Sequence, residues 1–244
     1  MAGEFTGMWN VNCLCLAVDE SPRIGGNGGK SKEMKSTVWL WSELLLIYLA
    51  VPVLMYERVL PNWPIPFLLI VTIWALVVLR RDATFDQQGL VSLARIQAEF
   101  WWPLLRDVPL LVLLGIGVRL FAPEMLFSLV RRTPVWWLAV VLFYPIFSVY
   151  PQELLYRAFF FHRYKPLFGD GMGMIAASAA VFGFVHIIFG NWVAIGLTAI
   201  GGVLFGWTYR KSGSLVLTCL EHALFGDFIF TIGIGEFFYH LARR

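Results

Sequence analysis

The feature that most constrains this chain is an alternation of long apolar runs with short charged clusters. The runs lie at about 37–56, 63–79, 104–122, 135–161, 172–189, 191–209 and 213–238. A bilayer core is roughly 30 Å thick and offers the backbone no water to bond, so a segment of about 20 apolar residues crosses it as a helix. Composition agrees: 59% of residues are hydrophobic, 14% are charged, and the mean hydropathy is +0.70, outside the range of soluble domains. The expected fold class is all-α, a polytopic transmembrane helical bundle with about seven or eight membrane helices. The count is open because the second run begins with Pro61, Pro64 and Pro66, while the last contains Gly226, Gly233 and Gly235 and is long enough for one broken helix or two short ones.

Three regions follow. Residues 1–33 are Gly-rich around Gly25–Gly29, show no periodicity and lack a signal-peptide pattern. They read as a disordered tail or a gene-model extension, since Met34 and Lys35 stand just before the first apolar run. Residues 34–134 hold the N-terminal membrane helices. They include a segment from Leu90 to Arg106 whose Arg95, Gln97 and Glu99 mix with Phe100, Trp101 and Trp102, a composition suited to the headgroup region. Residues 135–240 form the core that carries the polar groups. Most Lys and Arg side chains fall on one side if the N-terminus is cytoplasmic, although Arg131 and Arg132 run against that bias. The expected location is therefore the cell (inner) membrane. Cys13, Cys15 and Cys219 are too few and badly spaced for a disulfide framework or a four-ligand zinc site.

An ionisable side chain inside hydrocarbon costs about 2.5–3.5 kcal/mol on insertion scales and normally faces a partner or a hydrated cavity. Such residues are Glu43, then Gln152, Glu153 and Arg157, then His186, and finally Glu221, His222 and Asp227. Glu153 and Arg157 are four apart and share a helix face, so they can pair. Pro151 lacks an N–H and frees the carbonyl of Phe147. Phe182 lies one turn before His186. Glu221 and His222, about 100° apart around a helix, cannot aim at the same point. Glu43 and Arg119 lie toward span ends and receive no catalytic role.

A carboxylate and imidazoles gathered in low dielectric suit hydrolysis, because one can take a proton from water and others can bind a metal or an oxyanion. No nucleophile motif of the G-x-S-x-G kind is present, and Ser178 stands alone among small residues. Two mechanisms stay open: Glu153 as base on a free water, or a zinc-bound water held by Glu153, His186 and His222.

The order Gln152-Glu153-x3-Arg157, Phe182-x3-His186 and His222 resembles the E-E-x3-R, F-x3-H and H-x3-N/D signature of the CPBP family, the CAAX protease and bacteriocin-processing (Abi-type) intramembrane proteases. The resemblance covers about residues 135–240. It implies a helical membrane fold with a water-accessible chamber, a glutamate that activates water and histidines that stabilise the oxyanion. The catalytic set carried over is Glu153, His186, His222, Arg157 and Gln152. Two positions depart from the signature. Gln152 replaces the first glutamate, so the role of base passes to Glu153, and Gly226 replaces the Asn or Asp, leaving Asp227 or Glu221 as substitutes. The expected partners are membrane lipids and a membrane-associated protein or peptide substrate, with no nucleic acid. The competing reading is a pseudoprotease that serves as a membrane scaffold or chaperone.

Overall fold

A computed structural model describes residues 27–61 and 63–238 of the chain. Contacts divide the chain into a unit Met1–Ser36, whose described residues are helical, and a unit Thr37–Arg244 that carries everything below. The expected tail therefore lies, up to residue 26, outside the described residues. The described residues hold seven long helices: α1 (Ser36–Tyr56), α2 (Pro64–Arg81), α3 (Trp101–Phe121), α4 (Pro134–Arg163), α5 (Met172–Phe189), α6 (Trp192–Ser212) and α7 (Leu215–Ile232). All but α3 are long and apolar enough to cross a membrane. The chain is an integral membrane protein, an all-helical polytopic bundle.

Local chemistry sets where these helices begin and end. The Asn191 side chain accepts from the Ala194 N–H (2.8 Å) at the start of α6, and Ser214 accepts from the Leu217 N–H (3.2 Å) at the start of α7, each satisfying one of the unpaired first-turn donors. Between them Gly213 takes a left-handed conformation (φ 60°), reversing the chain in two residues. α2 opens on Pro64, whose missing N–H costs nothing in a first turn.

Packing follows side-chain size. α5 and α6 approach until Ala199 would lie 2.8 Å from a Cβ placed at Gly183, and the Ala179 Cα equally close to one at Gly202. Small residues allow membrane helices this intimacy. α1 is tied to α4 by Tyr48, whose hydroxyl donates to the Leu155 carbonyl (3.0 Å) and whose ring meets Tyr156 and Phe160 edge-on, both at 5.3 Å. Thr72 of α2 donates to the Pro151 carbonyl (3.2 Å). Around this interior the outer faces are apolar and exposed, as at Trp39, Ile70, Leu113 and Trp136, where lipid is the natural neighbour.

α4 departs most from a regular helix. It widens into π-type turns at Pro145–Val149 and Leu154–Phe159, with one α-turn, Tyr150–Glu153, between them. Pro145 and Pro151 supply no N–H to the ladder, and the wider turns keep the helix continuous past that gap.

Some sequence expectations need correction. Leu90–Arg106 is not one element: Leu93–Glu99 is a separate short helix capped by Ser92, and Trp101 already begins α3. The last apolar run is a single helix that stops at Gly233 (φ 101°), followed by a short 3-10 turn, Ile234–Phe238, so it does not split into two spans.

Candidate functional site

α4 supplies the charged pair. Glu153 and Arg157 are both fully buried, with Oε2 and Nε 3.2 Å apart. That approach is an ion pair without hydrogen-bond alignment. Arg157 also donates to Ser178 Oγ (2.9 Å) and to the Tyr156 carbonyl (3.3 Å), while its guanidinium lies 4.8 Å above the Phe182 ring. Ser178 in turn donates to the Tyr156 carbonyl (2.8 Å). Arg157 thus compensates the Glu153 charge in a place water does not reach, and aromatic faces help accommodate the cation.

The other Glu153 oxygen faces α7. Its Oε1 lies 2.7 Å from His222 Nδ1. With the carboxylate accepting, Nδ1 carries the proton and Nε2 the lone pair, and Nε2 accepts from the Tyr144 hydroxyl at 3.0 Å. Phe205 of α6 stacks on the imidazole (4.6 Å between centroids, 19° between planes), and Phe182 meets it edge-on at 5.6 Å. Four elements therefore fix one ring.

His186 stands where α5 tightens from an α-helix into a 3-10 turn. Its Nδ1 lies 2.7 Å from the Phe182 carbonyl. A carbonyl can only accept, so Nδ1 is protonated and Nε2 bears the lone pair. Gln152 Nε2 donates to Ser148 Oγ (2.6 Å), which leaves a second amide hydrogen and the carbonyl oxygen of that side chain.

Gln152, His186 and His222 border a cavity of about 880 Å³. Its wall is overwhelmingly apolar, and its polar members include Tyr144, Ser148, Gln152, Tyr156, His186 and His222. Glu153 and Arg157 are not in the wall. Glu153 touches the wall at His222, and Arg157 packs against Phe182.

Residues 134–226 match the family model described as Rce1-like, type II CAAX prenyl endopeptidase Rce1-like. That stretch is similar to the Rce1-like family. The match spans well under half of the chain and contains Gln152, Glu153, Arg157, His186 and His222, ending on Gly226. No curated protein and no solved structure is significantly similar to the chain.

Within the matched stretch Glu153 contacts both Arg157 and His222, and Gln152, His186 and His222 lie around one cavity. It does not gather a zinc site. Among the described residues no three His, Cys, Asp or Glu side chains are placed to hold a metal ion. Glu153, His186 and His222 do not form such a group, and Glu153 is not in the cavity wall. Neither proposed substitute for the missing Asn or Asp reaches the cavity wall. Glu221 turns to α3, where it pairs with Arg106, which also binds Asp107 Oδ1 at 2.6 Å. Asp227 is half-buried with Oδ1 unpartnered.

Sequence reasoning missed Tyr144 and Ser148. The signal was present, because Tyr144, Ser148 and Gln152 succeed one another every four residues and form one polar strip. It missed Phe205 as well, for which an apolar run offers no signal. Glu43 proved structural: Arg163 grips it with two hydrogen bonds of 2.9 and 2.8 Å, and Tyr164 adds a third.

Proposed function

We propose that the protein is an intramembrane endopeptidase that hydrolyses a peptide bond in a membrane-associated or lipidated, CAAX-type protein or peptide. The observation that carries this reading is the Glu153–His222 contact at 2.7 Å behind a cavity wall that also contains His186. A buried carboxylate on one imidazole nitrogen fixes the ring with the lone pair on the other, the arrangement by which hydrolases draw a proton from an attacking hydroxyl. The apolar cavity suits a hydrophobic peptide or its lipid, and the Rce1-like match of residues 134–226 supports a peptidase reaction.

In this reading a cavity water loses a proton whose final acceptor is His222, and the imidazolium that forms is stabilised by Glu153. The hydroxide adds to the substrate carbonyl. Gln152, with its second amide hydrogen, is the donor available to the developing oxyanion, and His186 holds the water through its lone-pair nitrogen. His222 returns the proton to the leaving amine. Arg157 acts at one remove, by compensating the Glu153 charge. The reading also keeps the N-terminus on the cytoplasmic side of the cell membrane, on the distribution of Lys and Arg.

Gln152 favours a second reading. The cavity-facing position of the E-E pair holds an amide, which takes no proton at neutral pH, while the remaining carboxylate is enclosed. A chain that binds peptides without cleaving them would show this pattern. Comparative membrane proteomics of a deletion strain beside one carrying Glu153→Gln separates the two. A protease gives the same accumulated precursor in both strains, whereas a scaffold gives a Glu153→Gln strain that resembles the wild type.

A further inference from the structure

The Glu153–His222 pair does not end at the imidazole. Its Nε2 is already occupied by the Tyr144 hydroxyl, and the reason lies in the sequence of α7. A Cβ at Gly226 would overlap the Tyr144 ring and hydroxyl. Gly226 is the position at which the H-x3-N/D signature carries a polar side chain, and the space such a side chain would take is filled here by the phenol of α4. Tyr144, Gly226 and His222 all belong to the cavity wall.

From this geometry we propose that Tyr144 is a catalytic residue, the substrate-facing end of a proton chain running water, Tyr144, His222, Glu153. The inference rests on the endopeptidase reading and gives it a route. With Nε2 accepting from Tyr144, a cavity water cannot reach the imidazole directly. It can donate to the Tyr144 oxygen, which has acceptor capacity left. In the attacking step the water O–H bond breaks toward Tyr144, the Tyr144 O–H bond breaks toward His222 Nε2, and the water oxygen bonds the substrate carbonyl carbon. One proton moves at each position, so the phenol ends neutral, the imidazole becomes imidazolium opposite the Glu153 carboxylate, and the negative charge passes to the carbonyl oxygen. Collapse of the tetrahedral intermediate breaks the C–N bond as the proton returns along the same chain to the amine.

Two substitutions address the chain separately. Tyr144→Phe removes a single oxygen and keeps the ring over Gly226. Gly226→Ala keeps the oxygen and displaces the ring. Each variant, as the full chain in liposomes, is offered a fluorogenic peptide library in free and farnesylated forms. The 15N resonance of His222 Nε2, recorded in detergent, reports the hydrogen bond and the integrity of the fold. Expected for Tyr144→Phe are a His222 resonance displaced from the wild type, a kcat lower by about 100-fold, as for loss of a proton-transfer group, a KM within about twofold and a diminished solvent isotope effect. Gly226→Ala moves both readouts the same way. A Tyr144→Phe enzyme with kcat equal to or above that of the wild type overturns the proposal, because the phenol is then only a cap on His222. So does an unchanged His222 resonance. A wild-type chain that cleaves nothing overturns the endopeptidase reading and this one with it, and differs visibly from an active wild type matched by an active variant.

Discussion

At the scale of single residues, the site is organised by one cation. Arg157 is fully enclosed and answers Glu153, Ser178 and the Tyr156 carbonyl together. Removing one partner of a buried ion pair leaves the other charge uncompensated, at a cost of about 3–5 kcal/mol. Arg157→Met should lower stability by an amount of that order, read from denaturant titration in detergent micelles. Arg157→Lys should fall between, since an ammonium keeps the charge and loses the forked donors and the stacking over Phe182. The pair itself was legible in the sequence from its four-residue spacing. Its burial was not, because spacing fixes a shared face without saying what covers that face. The divergence of Glu221 from His222 was equally legible as an angle, but the partner at Arg106 lies 115 residues away in sequence and leaves no local trace.

Among elements, α4 to α7 could be read from apolar length and from Gly, Asn and Ser at their ends, whereas the π-type turns of α4 could not. Two prolines announce that the helix must deviate, and packing selects how. The contact of α5 with α6 depends on Gly183 and Gly202, and any Cβ at Gly202 meets Ala179 backbone. Gly202→Val should therefore separate the two helices at a cost of about 1–3 kcal/mol. It should also loosen the ring of Phe205 against His222, seen as lower thermal stability and a changed His222 NMR signal. Outside the spans, the loop after α2 is held by Asp86, whose carboxylate meets Arg95 at 2.6 Å. The Arg95 hydrogen bond holds the Asp86 carboxyl below its ordinary value. A depressed folded-state pKa contributes stability that is present above the unfolded pKa of about 4 and lost as pH falls through the folded value. For a side chain this exposed the contribution is about 1 kcal/mol or less. Asp86→Asn should remove that share near neutrality, so variant and wild type converge in stability as pH drops below about 4, measured by unfolding across an acid series.

For the molecule as a whole, the membrane class followed from composition, while the chamber between the helices was expected only from the family resemblance and its apolar lining had no signature in the sequence. The structure sets Glu153 against His222 and places His186 and His222 on one cavity wall. It also separates their positions: the glutamate is outside the wall and bonded to His222, while Tyr144, Gln152, His186 and His222 are among the wall's polar members. That arrangement gives the account its central claim, a hydrolytic centre whose carboxylate works through His222. The most direct measurement is cleavage of a peptide library by the full chain reconstituted in liposomes, beside Glu153→Gln and His222→Ala. The account predicts cleavage by the wild type, with both variants slower by about 100-fold or more. A wild type that leaves every peptide intact, or variants that cleave as fast as it does, would contradict it.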